Sequence, residues 1–174
     1  MIVLLQASDK SYVWDSCKQG LPELLDIVKA NCLNKDVRLA YQLPWGHTEQ
    51  TALSELEGNI ECAKKLKEEY GIEHIIPVGV AVQNARNTTL NTTLYLTRDH
   101  WHLCMGVGRY VAACTFFESV IAPVYMSLKK VGSVIKIPRR QFLGRSPKLE
   151  QAVHDIIEEA LKEYFDDFEI LESR

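Results

Sequence analysis

No two cysteines in this chain stand at Cys-x-x-Cys spacing; the five, at 17, 32, 62, 104 and 114, are odd in number and scattered. That argues against a disulfide framework and against a structural zinc site, and a reducing compartment is the simplest reading. Basic residues are not in excess either. The formal net charge of −3 leaves no electrostatic footprint for nucleic acid or an anionic membrane surface. The opening "MIVLLQASDK" has no basic leader, and its apolar run is too short for a signal peptide or a membrane span. It reads instead as a strand beginning almost at the first residue. The expectation is a cytoplasmic chain, or an exported one if a leader has been lost from its start. "MGVGRY" lacks the third glycine of a dinucleotide fingerprint, since position 111 is Val. No linker, repeat or low-complexity segment divides the chain.

What is present is enough for one domain over residues 1–174. A chain of 174 residues buries about 70% of its unfolded surface without disulfides or metals. Three β-rich runs, "IVLL" at 2–5, "VRLAY" at 37–41 and "HIIPV" at 74–78, are each separated by one helical pattern. Leu21, Leu24, Leu25 and Val28 step by three and four, as do Leu53, Leu56, Ile60, Ala63 and Leu66, the second set ending at Gly71 as a helix cap. This is βαβαβ, the unit of parallel sheets covered by helices on both faces. Ligands of such folds bind outside the carboxyl ends of the strands. The residues there are Gln6, Ser8 and Asp9, then Gln42, Trp45 and His47, then Gln83, Asn84 and Arg86. A loop, "NARNTTLNTTLYLTRDHWH", follows, and then a helix carrying Val107, Tyr110, Val111 and Cys114. Residues 122–174 read as a C-terminal extension. It holds a further strand or extended tail in "VGSVIKIPRR" and a long amphipathic helix capped by Ser146-Pro147.

The chemistry concentrates in "LTRDHWHLC", residues 96–104, which holds two of the chain's five histidines. Asp99-x-x-His102 puts a carboxylate within reach of an imidazole, so that Asp99 could take the Nδ1 proton and leave Nε2 as a general base. The same spacing also describes an Asx-turn beside a surface histidine. His100-x-His102 is a zinc-enzyme spacing, but the third ligand would have to come from His47, His74 or a carboxylate, and no second paired motif supplies it. Trp14, Trp45 and Trp101 could line a pocket, although aromatics more often build core. Arg139-Arg140 reads as solvated surface. The sequons at Asn87 and Asn91 would matter only in a secreted eukaryotic protein.

The stretch 75–121, "IIPVGVAVQNARNTTLNTTLYLTRDHWHLCMGVGRYVAACTFFESVI", resembles the closing half of an SGNH-type (GDSL-like) hydrolase, in the branch catalogued as a domain of unknown function. There a strand ending in Pro-Val-Gly, then Gln-Asn-Ala-Arg, leads to Asp-x-x-His-Leu and a Gly-Arg-Tyr helix start. "VLLQAS" more loosely resembles that family's third conserved block. The resemblance implies a flavodoxin-like three-layer α/β/α sandwich, acyl-ester hydrolysis on a small-molecule or acylated-carbohydrate ester, no cofactor, and Asp99 orienting His102 as the base of a Ser-His-Asp triad. Gln6 or Ser8 would stand at the oxyanion block, with Asn84 and Trp101 as further pocket candidates. The chain departs from the family in lacking Gly-x-Asn-Asp and the Gly-Asp-Ser or Gly-Asn-Ser nucleophile motif. Ser16, in "VWDSC", lacks the preceding Gly, and Ser8 falls in the third block. Three strands precede Asp99 where the fold expects five, so the family's first two βα units look absent and little or no activity is expected. The alternatives are a non-catalytic binding or assembly domain and a fragment of a longer hydrolase. Losing the central strand of a 2-1-3-4-5 order leaves strand 2–5 as an apolar edge. A second copy of the chain, or the segment near 133–137, is expected to cover it.

Overall fold

A computed structural model of the chain describes residues 1–6, 10–47, 50–94, 96–124 and 147–164. These divide into two compact units, Met1–Gly79 and Val80–Arg174.

The first unit is the βαβαβ of the sequence reading. Its strands are β1 (Ile2–Leu4), β2 (Leu39–Gln42) and β3 (His74–Ile76), and its helices are α1 (Trp14–Cys17), α2 (Leu21–Asn31) and α3 (Ala52–Tyr70). The strands pair in parallel in the order β1-β2-β3, with Val3 opposite Ala40 and Tyr41 opposite Ile75. The structure is therefore mixed α/β around a small parallel sheet. Tyr41, Leu43, Leu66, Ile72 and Ile76 are buried in this unit, as are Leu21 and Leu25 on one stripe of α2. The exposed Leu24 and Ile27 lie beside that stripe.

Each helix stops where local chemistry stops it. Gly20, at φ 72°, opens α2, and Pro22 follows in its first turn, where the missing N–H costs no hydrogen bond. Gly71, at φ 66°, closes α3, and the Ile72 N–H reaches back to the Leu66 carbonyl at 3.4 Å. Pro77 ends β3, after which the chain turns directly into α4 (Val78–Arg86). The exit of β2 is laced to that turn: Leu43 N–H donates to the Ile76 carbonyl at 2.9 Å, and Gly79 N–H donates to the Leu43 carbonyl at 3.0 Å. A Cβ on Gly79 would collide with the carbonyl oxygen of Pro44.

β1 is an edge strand, and no strand lies on its outer side among the described residues. Its three residues are half-buried. The segment near 133–137, expected as a cover, lies outside the described residues, as do Arg139-Arg140 and the capping Ser146.

The second unit carries α5 (Thr89–Leu94), α6 (Val107–Phe116), a π-helical turn (Phe117–Ile121) and α7 (Pro147–Tyr164). The segment expected as a loop from Asn84 onward is helical through Arg86 and again over α5. Val78, Ala81, Val82 and Ala85 supply a helical apolar stripe, each at most 1% exposed, which outweighs the Asn and Thr content. Thr88 makes the break: its hydroxyl donates to the Ala85 carbonyl at 2.8 Å and accepts the Leu90 N–H at 3.2 Å. In α7, Val153, Ile156, Ile157 and Ala160 form the buried stripe that the periodicity called for.

Gly79→Ala and Gly71→Ala separate two kinds of glycine. Gly79→Ala forces backbone to move and should cost about 1–3 kcal/mol by overpacking. Gly71→Ala meets open space and should cost about 1–2 kcal/mol through the left-handed backbone alone. Urea-unfolding midpoints measure both, and Gly71→Asn should recover much of the second loss but none of the first.

Candidate functional site

The motif 96–104 folds as a closed loop pinned at both shoulders. Leu96 and Leu103 are 1% and 5% exposed and anchor it, and Thr97 pairs with Leu103 in an antiparallel bridge. Cys104 N–H donates to the Leu96 carbonyl at 2.8 Å, and Arg98 N–H donates to the His102 carbonyl at 2.9 Å. The reversal needs one residue in the left-handed region, and His100 takes it at φ 64°.

Asp99 holds the interior of this turn. Its Oδ1 accepts the backbone N–H of His102 at 2.7 Å and of Trp101 at 3.1 Å, while Oδ2 lies 2.8 Å from His102 Nδ1. An ionised carboxylate can only accept, so Nδ1 carries the proton and the ring's lone pair is left on Nε2. The His102 amide, then the imidazole and the Trp101 amide, hold the Asp99 carboxyl down at about 2. Arg98 Nε adds a weaker contact to Oδ2 at 3.9 Å. Both members of the pair are open to water, with side chains 47% and 66% exposed. The two readings of Asp-x-x-His thus coincide in one geometry: an Asx-turn whose second oxygen orients an imidazole.

Cys104 joins the loop to α6. Its carbonyl accepts the Arg109 N–H at 3.2 Å and its sulfur accepts the Gly108 N–H at 3.2 Å, two donors that a helix start otherwise leaves unpaired. Gly106 caps the helix with an irregular backbone, and a Cβ on Gly108 would collide with the Leu96 carbonyl oxygen. Both glycines of "GVGRY" therefore serve the junction of loop and helix. Along α6 beyond it runs a mainly apolar groove of about 500 Å³, from Met105 and Arg109 past Tyr110 to Phe117 and Glu118. Burial raises the Glu118 carboxyl and the Cys114 thiol above their ordinary pKa values.

The other sequence candidates are spread more widely. Asn84, on α4, is half-buried, and its Nδ2 is shielded from water with no hydrogen-bond acceptor among the described residues. The Gln6 amide, in the first unit, is engaged: Nε2 donates to the Ser16 carbonyl at 2.9 Å. Ser8 and Asp9 lie outside the described residues. Trp101 is half exposed on the loop. Trp14 packs against Tyr70, ring centroids 6.3 Å apart, and so belongs to the first unit's packing.

A family model described as Domain of unknown function (DUF4886) matches residues 1–131. The chain belongs to this family. The DUF4886 match takes in the sheet, the Asp99–His102 loop and α6, and it ends before α7. No curated protein and no solved structure matches the chain.

Two groupings inside the DUF4886 region escaped the sequence reading. His47, named in the sequence as following β2 and as a possible third zinc ligand, has a carboxylate partner in Glu55: Oε2 accepts the His47 N–H at 2.7 Å and lies 3.0 Å from its Nδ1, while Thr51 donates to Oε1 at 2.7 Å. With side chains 15% and 13% exposed, this pair is far drier than Asp99–His102. The Thr51 hydroxyl four residues before Glu55 in the first turn of α3 was the available signal. The second grouping is Cys17 of α1 with Tyr41 of β2, whose hydroxyl lies 3.8 Å from the Cys17 sulfur. Outside the match, His154, Asp155 and Glu158 of α7 bring three potential metal ligands within 4.8 Å of one another, on an exposed surface.

The Asp99 geometry has a pH signature. Its folded-state pKa, about 2, lies below the ordinary 3.8. The contribution to stability is therefore complete above about pH 4 and is lost as pH falls through about 2. Carbon-detected NMR of the Asp99 carboxyl should show a midpoint near 2, and a midpoint near 4 would mean that the turn is not closed.

Proposed function

We propose that this chain carries the orienter and general base of an SGNH-type serine ester hydrolase, within a flavodoxin-like sandwich reduced to its later strands. The observation that carries the reading is the single carboxylate that fixes both the turn and the His102 ring, with Oδ2 2.8 Å from Nδ1. In the reaction, a serine hydroxyl attacks the ester carbonyl while His102 Nε2 takes its proton and later returns it to the leaving alcohol. Asp99 offsets the charge that develops on the imidazole.

Several features favour this reading. The sequential parallel order β1-β2-β3 is that of the last three strands of a 2-1-3-4-5 sheet. Asn84 carries an amide N–H that meets no acceptor among the described residues, a donor of the kind an oxyanion hole uses. The groove on α6 has Met105, three residues beyond His102, among its lining residues, and its mainly apolar lining suits an apolar acyl group. No Gly-Asp-Ser or Gly-Asn-Ser stands anywhere in the 174 residues, so this sequence supplies the base without the family's nucleophile. The openness of the dyad to water fits a half-site of that kind.

Two measurements test the reading separately. The chain by itself should release p-nitrophenol from a short-chain ester no faster than free imidazole does. Enzymatic turnover abolished by His102→Ala would show that a nucleophile is present after all. Titration with a peracetylated monosaccharide should shift the ring resonances of His102 and Trp101, and the shifts should shrink in Asp99→Ala; an unmoved spectrum would remove the ester site itself.

The same reading has a second copy pairing along the outer edge of β1. Light scattering should then report a dimer that Val3→Lys returns to monomer, and a monomeric wild type would refute the pairing.

A further inference from the structure

We propose that the groove along α6 binds a single-chain fatty carboxylate of medium length, its head paired with Arg109 and its tail laid toward Phe117. For the place of the acyl chain the proposal rests on the ester-site reading; it adds the charge and the length of what the groove takes.

The groove follows from how little of α6 the second unit covers. Val107, Gly108, Val111 and Thr115 are buried and form one stripe of the helix. The opposite side is apolar as well: Ala113 and Phe117 are exposed, and Met105, just before the helix, is 69% exposed. By length and composition Val107–Val124 is apolar enough to cross a membrane, yet only 28% of it is buried. Apolar surface left open over several turns marks a place where something docks. Small side chains at Gly106, Ala113 and Cys114 line the hollow alongside Met105 and Phe117, and it amounts to about 500 Å³.

Two charged residues among the lining are set apart along the helix axis. Arg109 is in the first turn of α6, and Glu118 is in the π-helical turn, about 14 Å further on. Arg109 makes no ion pair among the described residues. A guanidinium beside apolar surface offers a planar fork that a carboxylate can engage with both oxygens. Glu118 is half-buried, and burial raises its carboxyl against the opposing pull of His154. The groove therefore pairs with an anion near Arg109 and gives no partner to a second anion near Glu118.

Length follows from the same axis. From Arg109 to Phe117 the helix rises about 12 Å, the length of an extended chain of about ten carbons. An acetyl group leaves most of that stretch wet, whereas a chain of medium length covers it. A bilayer surface is the other apolar partner that such a helix could meet. Helices that lie on membranes are rich in Lys and Arg along their polar face, while "VGRYVAACTF" holds Arg109 alone and is hollowed beside it.

The test is calorimetric titration of the full-length chain with hexanoate, octanoate, decanoate and dodecanoate below their micelle concentrations. One site is expected, tightening about twofold to fourfold per added methylene and levelling beyond about ten carbons. Decanol and decanedioate should each bind at least about tenfold more weakly than decanoate, the first for want of a head for Arg109 and the second for its anion near Glu118. Arg109→Gln should weaken decanoate about tenfold and leave decanol unchanged, and Ala113→Trp should abolish both by filling the hollow. The wild-type series decides even if a variant fails to fold. No decanoate site, decanol bound as tightly as decanoate, or adsorption to phosphatidylcholine vesicles in place of decanoate binding overturns the proposal. A decanoate site in a chain whose His102 ignores the peracetylated sugar would support the groove and end the ester reading, while the converse would end the groove alone.

Discussion

Asp99 commits one carboxylate oxygen to the backbone and the other to a side chain, and the second unit's candidate chemistry depends on that division. Oδ1 gathers the amides of Trp101 and His102 and so closes the turn; Oδ2 then meets the ring that the turn has delivered. The arrangement is local, since every atom in it comes from four consecutive residues. Its rigidity comes from outside those residues, through the buried Leu96 and Leu103 and through Cys104, which hands the loop on to α6. A carboxylate this exposed orients its imidazole mainly by direction. The surrounding water screens the charge, so the pair gains little from the electrostatic strengthening that a dry site provides.

The His47–Glu55 pair is the reverse case. Its partners are eight residues apart, it follows β2 of the parallel sheet, and it is largely shut off from solvent. A backbone amide and a hydroxyl share the load on Glu55, so the carboxylate is satisfied whether or not the imidazole is charged. Two carboxylate-held imidazoles in one chain thus sit in opposite solvent regimes, each placed by the unit to which it belongs.

Much of this was legible in the residues. Strand spacing, the stepping of Leu56, Ala63 and Leu66, and the glycine stop at 71 carry over to β2, α3 and its cap almost position for position. Those signals are local and periodic. The helix at Val78–Arg86 was obscured because Gln83, Asn84 and Arg86 look like loop composition, while the deciding stripe of Val and Ala begins inside what reads as the end of a strand. Within the candidate site, the Asp99–His102 contact was visible because its partners are three residues apart. Cys17 with Tyr41 and His47 with Glu55 were not, since their proximity is produced by the docking of one element on another. The role of Cys104 sulfur as an acceptor for a helix amide had no sequence signal at all.

Along α6 the buried positions Val111 and Thr115, with Ser119 after them, recur at intervals of four. In a regular α-helix each such interval rotates the side chain by about 40°, so a line of this kind would wind around the helix and leave the core. The π-helical turn over Phe117–Ile121 widens the coil where that drift would have accumulated. It works as a phase correction. One inserted residue keeps Ser119 inward, and the apolar Phe117 and Ile121 are turned out to solvent as its counterpart.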